Sequence, residues 1–297
     1  MKYTNKSASF SSRGLKDNKK RPQINGKFGF YKYNLYLCAM IFYFSCTGNT
    51  RWAAETLAKN LGEELIDMAV TGRVPALAEG ERIGFCFPVH GWRPPRLVRE
   101  YVRNLRIDKS GKHYCWALCT AGDDIGLSME YLNDDLAQIG LHADSVFSLI
   151  MPESYVGLPF MDVDNPDKEW TKIETAKQML TEFTEDIREQ REGLTKTYKG
   201  HWPRINSRII GEAFVRWIIS DKPFRVTDAC IACGTCTKVC PTHDIDGGSG
   251  RKPTWKHTGN CLSCFACYHH CPTRAIRYGK RTENKGQYYM NQKNTNK

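Results

Sequence analysis

Two stretches of this chain repeat one spacing of cysteines, and few folds can carry it. Cys230-Ile231-Ala232-Cys233-Gly234-Thr235-Cys236-Thr237-Lys238-Val239-Cys240-Pro241 reads C-x2-C-x2-C-x3-C-P. Cys261-Leu262-Ser263-Cys264-Phe265-Ala266-Cys267-Tyr268-His269-His270-Cys271-Pro272 reads the same. Eight of the chain's 13 cysteines sit in these two runs.

Gaps of two residues let a tight loop aim successive thiolates at one small object. In this pattern three close thiolates wrap one [4Fe–4S] cubane, and the fourth crosses to the other cluster. Cys230, Cys233, Cys236 and Cys271 are thus expected to hold one cluster, and Cys261, Cys264, Cys267 and Cys240 the other. The proline after each fourth cysteine breaks the local turn and lets the chain leave. Ala232, Gly234, Thr235, Ser263 and Ala266 are small enough for the backbone to close around a cluster. Zinc takes four ligands, commonly as two separated pairs, which leaves a third and fourth cysteine in each run without a purpose. A disulfide framework fits less well still.

A chain of 297 residues has room for about two domains. Its net charge of +11 suggests nucleic acid until it is located. Residues 1–39 carry a net +8 and residues 280–297 a net +4, so the stretch between them is nearly neutral. Both tails are rich in Asn, Ser, Gly and Lys. They read as a disordered basic extension and a basic tail, with no nucleic-acid surface on the folded core. Lys2–Lys32 shows no periodicity, and Met40 is the expected start of the folded part. The longest apolar run, Leu35–Phe44, is ten residues, short of a membrane span. No A-x-A-like cleavage site follows it, so it reads as a buried first strand. Cluster cysteines must stay reduced, which points to the cytoplasm.

That strand runs into Ser45-Cys46-Thr47-Gly48-Asn49-Thr50, and a helix follows with Ala53, Leu57 and Leu61 on one face, stopping at Gly62. A strand–turn–helix junction gathers free amides and the positive end of a helix at one point, which suits a phosphate. Ser45, Thr47 and Thr50 add hydroxyls, Asn49 an amide, and Gly48 allows close approach. Neither G-x-x-x-x-G-K-[ST] nor G-x-G-x-x-G stands beside it, which disfavours a nucleoside triphosphate or a dinucleotide. The alternation continues with strands at 64–68, 82–87, 114–119 and 145–150 and helices at 94–105 and 127–139. Strands alternating with helices predict an α/β, doubly wound parallel sheet, with ligands at the carboxyl ends of its strands. The loops 45–50, 88–95 and 120–126 leave those ends.

Ser45–Thr50 resembles the FMN phosphate loop of flavodoxins, S/T-x-T-G-x-T. From Met40 to Gly279 the chain resembles fused flavodoxin–ferredoxin electron-transfer proteins. The resemblance implies a flavodoxin-like domain over 40–194, a linker and docking helix over 195–220, and a small α+β bacterial-type 2[4Fe–4S] ferredoxin domain over 221–279. It also implies FMN beside the two clusters. Ser45, Thr47, Gly48, Asn49 and Thr50 would hold the phosphate; Trp92 and the Thr120, Ala121 and Gly122 backbone would border the ring. Cys46 stands where a glycine is often found and reads as small filler.

Residues 167–192 read as one charged helix whose Trp170, Ile173, Ala176, Leu180, Phe183 and Ile187 form a buried stripe. Between the cysteine runs, 246–251 reads as a turn and 252–255 as an edge strand. Gly211–Ser220 is apolar enough to dock one module on the other. His269 and His270 read as exposed, and Cys38, Cys86, Cys115 and Cys119 as buried filler. No hydrolytic constellation is present. The expectation is an electron carrier passing single electrons between two [4Fe–4S] clusters and FMN, with redox proteins as partners. The alternative is a flavin-dependent reductase of a small acceptor or quinone that uses the ferredoxin half as its electron inlet.

Overall fold

The segment Met40–Tyr43 contains no charged side chain, and the structure buries all four residues as strand β1, an interior strand of a parallel sheet. The structure is a computed structural model, and it describes residues 39–70, 80–106 and 112–290. Beside β1 lie β2 (Glu64–Asp67) and β3 (Ile83–Pro88), followed outward by β4 (Cys115–Ala121), β5 (Ser145–Ile150) and β6 (Thr195–Lys196). The order is β2-β1-β3-β4-β5-β6 and every pairing is parallel. The first five strands have the flavodoxin order, whose switch point lies between β1 and β3. Apolar side chains on both faces explain why these strands read as continuous hydrophobic runs.

Helices α1 (Asn49–Leu61) and α4 (Pro166–Arg188) cover one face. There Ala53, Ala54 and Leu57 meet Phe147, Leu180 and Phe183 around the strand residues Ile41 and Trp116. Helices α2 (Arg96–Asn104) and α3 (Ser128–Ala137) cover the other, with Val98, Val102, Leu132 and Leu136 over Phe42, Phe85 and Ala117. These two helices are clamped by Asp135, whose fully buried carboxylate accepts from Arg99 and Arg103. Cys86, Cys115 and Cys119 are buried filler as expected; Cys38 lies outside the described residues.

Four expectations need correction. Residues 195–196 form a sixth strand on the sheet edge beside β5, where a linker was expected. Trp170 is 65 % exposed, because the buried stripe of α4 begins only at Ala176; the first turns of α4 carry polar work instead, with Lys172 Nζ donating to the Gly122 carbonyl and to Asp164. The hairpin between the cysteine runs uses two strands, Ile245–Gly248 and Arg251–Trp255, so the expected turn is half strand. Residues 280–290, expected to be tail, pack onto the fold: Thr282 and Tyr288 are buried, and Lys285 Nζ donates to the carbonyls of Val156, Leu158 and Met161. The expectations of disorder for 1–30 and for the last seven residues fall outside the described residues.

The second part repeats one backbone twice. Phe224–Val226 pairs antiparallel with Ile276–Tyr278. Left-handed residues recur at matching places in each half: Ala232 and Ser263, Gly234 and Phe265, His243 and Arg274. Its core of Phe224, Trp255, Phe265, Tyr268 and Tyr278 includes Val156 from the loop after β5, so the two parts share packing. Among the described residues no helix is long and apolar enough to cross a membrane.

Candidate cofactor sites

The loops after β1, β3, β4 and β5 leave the same edge of the sheet, as a parallel arrangement requires. They border one recess open to solvent. Ser45, Thr47, Asn49, Thr50, Thr120, Ala121 and Gly122 all line it, bringing together residues far apart in the chain. Gly48 is the N-cap of α1, at φ 98°, and offers no side-chain cap. The first N–H groups of a helix have no intrahelical acceptor, so the uncapped end is open to an anion. Gly48 is required there: an added Cβ would lie 2.9 Å from Met290 Cβ, at a backbone angle that L residues rarely adopt.

The hydroxyls are held in place by one another. Thr50 Oγ1 and Thr120 Oγ1 are 2.8 Å apart, and Thr47 Oγ1 donates to Ser154 Oγ. Asn49 Nδ2 donates to the Pro152 carbonyl, and its Oδ1 accepts from the Tyr288 hydroxyl at 2.6 Å. Trp92 does not line the recess. Gly91 and Trp92 are both left-handed, and the indole is turned toward Gly126 and hydrogen-bonds Asp124.

Sequence reasoning missed a fourth loop, 152–155, although it leaves β5 at the same carboxyl edge and the strand rule alone would have found it. Glu153 Oε1 accepts from the Ser154 and Tyr155 amides, and burial raises the Glu153 pKa. His90 was also missed. Its Nε2 and the Tyr155 hydroxyl are buried without a protein partner, and both residues line the recess. Burial lowers the His90 pKa to about 4, so the ring is neutral. Buried polar atoms without partners are costly, and a ligand rich in carbonyl and ring nitrogen atoms, such as a flavin, would give His90 Nε2 a partner; the Tyr155 hydroxyl lies instead beside Gly157 and Phe265. The residues present fit that group.

The two cysteine sets stand around two further recesses. Cys230, Cys233, Cys236 and Cys271 line one. Cys240, Cys261, Cys264 and Cys267 line the other. Each therefore takes its fourth cysteine from the opposite run. Backbone amides already point at sulfur: Ala232 N at Cys230 Sγ and Ser263 N at Cys261 Sγ, with Asp244 N at Cys240 Sγ and Ala275 N at Cys271 Sγ, all within 3.4 Å. Donors of this kind stabilise cluster sulfur charge. Among the described residues no three His, Cys, Asp or Glu converge as around a single ion. The thiols ring a volume, which fits a cubane.

The two kinds of site meet. Leu262 and Cys264 of the second cysteine run line the sheet-edge recess as well as the cysteine recess beside it. Cys46, expected as filler, packs with Cys264 against the sheet core. His269 was expected to be exposed and is buried: its Nε2–H donates to the Ser154 carbonyl, and its Nδ1 accepts from the Tyr288 amide. Those partners fix the neutral tautomer, and burial lowers its pKa to about 4. His270 is partly buried against Tyr289.

Residues 222–289 match the 4Fe-4S dicluster domain family. No curated protein matches the chain. Among solved structures, rubredoxin oxygen:oxidoreductase from Desulfovibrio gigas is 16 % identical over 51 % of this chain and 36 % of its own, with a TM-score of 0.30. A short-chain flavodoxin associated with a bacterial microcompartment is 13 % identical over 50 % of this chain and 99 % of its own, also at 0.30. An azoreductase from Bacillus anthracis is 8 % identical over 51 % of this chain and 97 % of its own, at 0.30. By its strand order and the family matched at 222–289, the chain joins a flavodoxin-like α/β sheet to a 4Fe-4S dicluster domain.

Proposed function

We propose that the chain is an intramolecular electron carrier, with FMN in the sheet-edge recess and one [4Fe–4S] cluster in each cysteine recess. The observation that carries this reading is the shared wall: Leu262 and Cys264 line both the sheet-edge recess and the recess of Cys240, Cys261, Cys264 and Cys267. Ser45–Thr50 would hold the flavin phosphate at the open end of α1. His90 would meet the polar edge of the ring. A flavin takes one or two electrons and a cubane one, so together they would let single electrons be paired.

The shared wall also orders the chain of transfer. The cluster of Cys240, Cys261, Cys264 and Cys267 stands next to the flavin. The other, whose Cys233 is exposed and whose neighbour Ile231 is 65 % exposed, stands at the surface where a redox partner protein would dock. The test is anaerobic reconstitution followed by assay of flavin, iron and sulfide. One flavin with about eight iron and eight sulfide per chain is expected. Flavin fluorescence should be quenched in the intact protein and recover in Cys264→Ala far more than in Cys233→Ala. Zinc without sulfide, or equal recovery in both variants, refutes the reading.

A further inference from the structure

The helix over residues 203–218 leaves the sheet edge with a pattern that its packing does not consume. Its sequence repeats every four residues: Arg204, Arg208, Glu212 and Arg216 form one row, and Ile205, Ile209, Ala213 and Trp217 the next. Two of its segments, Asn206–Ile210 and Phe214–Ile218, are π-helical, with a wider turn than an α-helix. A four-residue repeat stays nearly straight along such a helix, so two parallel stripes run its length.

The opposite side is fixed to the protein. Ser207 is fully buried, its Oγ accepting from the Leu127 amide and its carbonyl from Arg93. Gly211 sits so close to the Gly91 carbonyl that an added Cβ could not be placed. Phe214 meets His90 and Tyr155 edge-on beside the flavin recess. The stripes therefore face outward on a rigid support.

Ile209 is 66 % exposed and Trp217 72 %, and Trp202 stands exposed just before the helix begins. Apolar residues gathered like this mark a contact surface. The neighbouring row says which kind. Arg204, Arg208 and Arg216 are exposed, and the row's only acid, Glu212, is neutralised by Arg93. The sequence adds a net +8 over residues 1–39. An apolar stripe with tryptophan beside a row of arginines is the composition of a helix that lies in a membrane interface.

We propose that this helix lies on an anionic lipid surface, with its isoleucines and Trp217 in the acyl boundary and its arginines among the headgroups. Tryptophan prefers that depth, and each basic group adds attraction to anionic lipid. The proposal stands independently of which cofactors the chain binds.

The test is co-sedimentation of the full chain with vesicles of phosphatidylcholine alone and of phosphatidylcholine mixed with phosphatidylglycerol. The chain should pellet with the anionic vesicles and not the neutral ones, with tryptophan emission shifted to the blue. The double variant Ile209→Glu, Trp217→Glu should keep its melting temperature and bind roughly tenfold more weakly or worse. Three results overturn the proposal. The intact chain could ignore anionic vesicles. The double variant could bind as well as the intact chain, leaving attraction by the basic extension alone. Sedimentation velocity could show self-association that the double variant abolishes, which makes the stripe a protein interface.

Discussion

Thr50 and Thr120 are 70 residues apart in the chain, yet their hydroxyl oxygens lie 2.8 Å from each other. One opens α1 and the other ends β4, so the pair closes the recess across β3. Both residues are buried. Thr50→Val removes one partner, strands the Thr120 hydroxyl and withdraws a donor from the phosphate end. FMN affinity should fall roughly five- to thirty-fold, the effect of one lost hydrogen bond of about 1–2 kcal/mol. Thr47→Val should do the same by releasing Ser154. Fluorescence titration of the flavin-free protein measures both, and unchanged affinity in the pair would place the phosphate elsewhere.

The crosswise recesses make a prediction that a simple reading of each run would reverse. Cys240→Ser lies in the first run and should damage the cluster of the second. Cys271→Ser should damage the cluster of the first. Paramagnetic resonance of the reduced protein, compared with Cys261→Ser and Cys230→Ser, checks the pairing. Each distal variant should match the variant of the opposite run.

His90 ties stability to pH. Burial lowers its pKa in the folded protein to about 4, against 6.5 for an unburied histidine. The unfolded chain therefore takes up the proton first. Stability contributed by the neutral ring is whole above pH 6.5 and is lost as pH falls toward 4, at about 1.4 kcal/mol per pH unit. Urea melts between those limits should show this slope added to that of His269, which burial also holds near 4, and His90→Gln should lower the total by about 1.4 kcal/mol per pH unit without abolishing it.

Gly84 on β3 faces the ring of Trp116 on β4, which is fully buried and is the strand partner of Gly84. An added methyl would overlap the indole. Gly84→Ala should cost about 1–3 kcal/mol by overpacking and lower the melting temperature by several degrees, without changing the visible spectrum of any cofactor that remains bound.

The sheet was legible because its strands carry their own signal. Met40–Tyr43 and Cys115–Ala121 are buried on both faces and read as unbroken apolar runs. The cysteine sets were legible because ligand spacing is local. Trp92 misled because its direction depends on two left-handed residues that composition does not reveal. Thr195–Lys196 is too short to show any alternation, and only its place beside β5 makes it a strand. His269 was hidden because both of its partners, Ser154 and Tyr288, come from distant segments. Local chemistry shows in a sequence; long-range closure does not.

One such closure has a consequence for how the protein is made. The Met290 amide donates to the Thr47 carbonyl, and the Tyr288 hydroxyl to Asn49, so the loop after the first strand is completed by some of the last described residues. During synthesis the sheet leaves the ribosome long before that closing segment exists. The nascent sheet therefore passes through a period with its 45–50 loop uncovered, until residues 288–290 arrive to cover it.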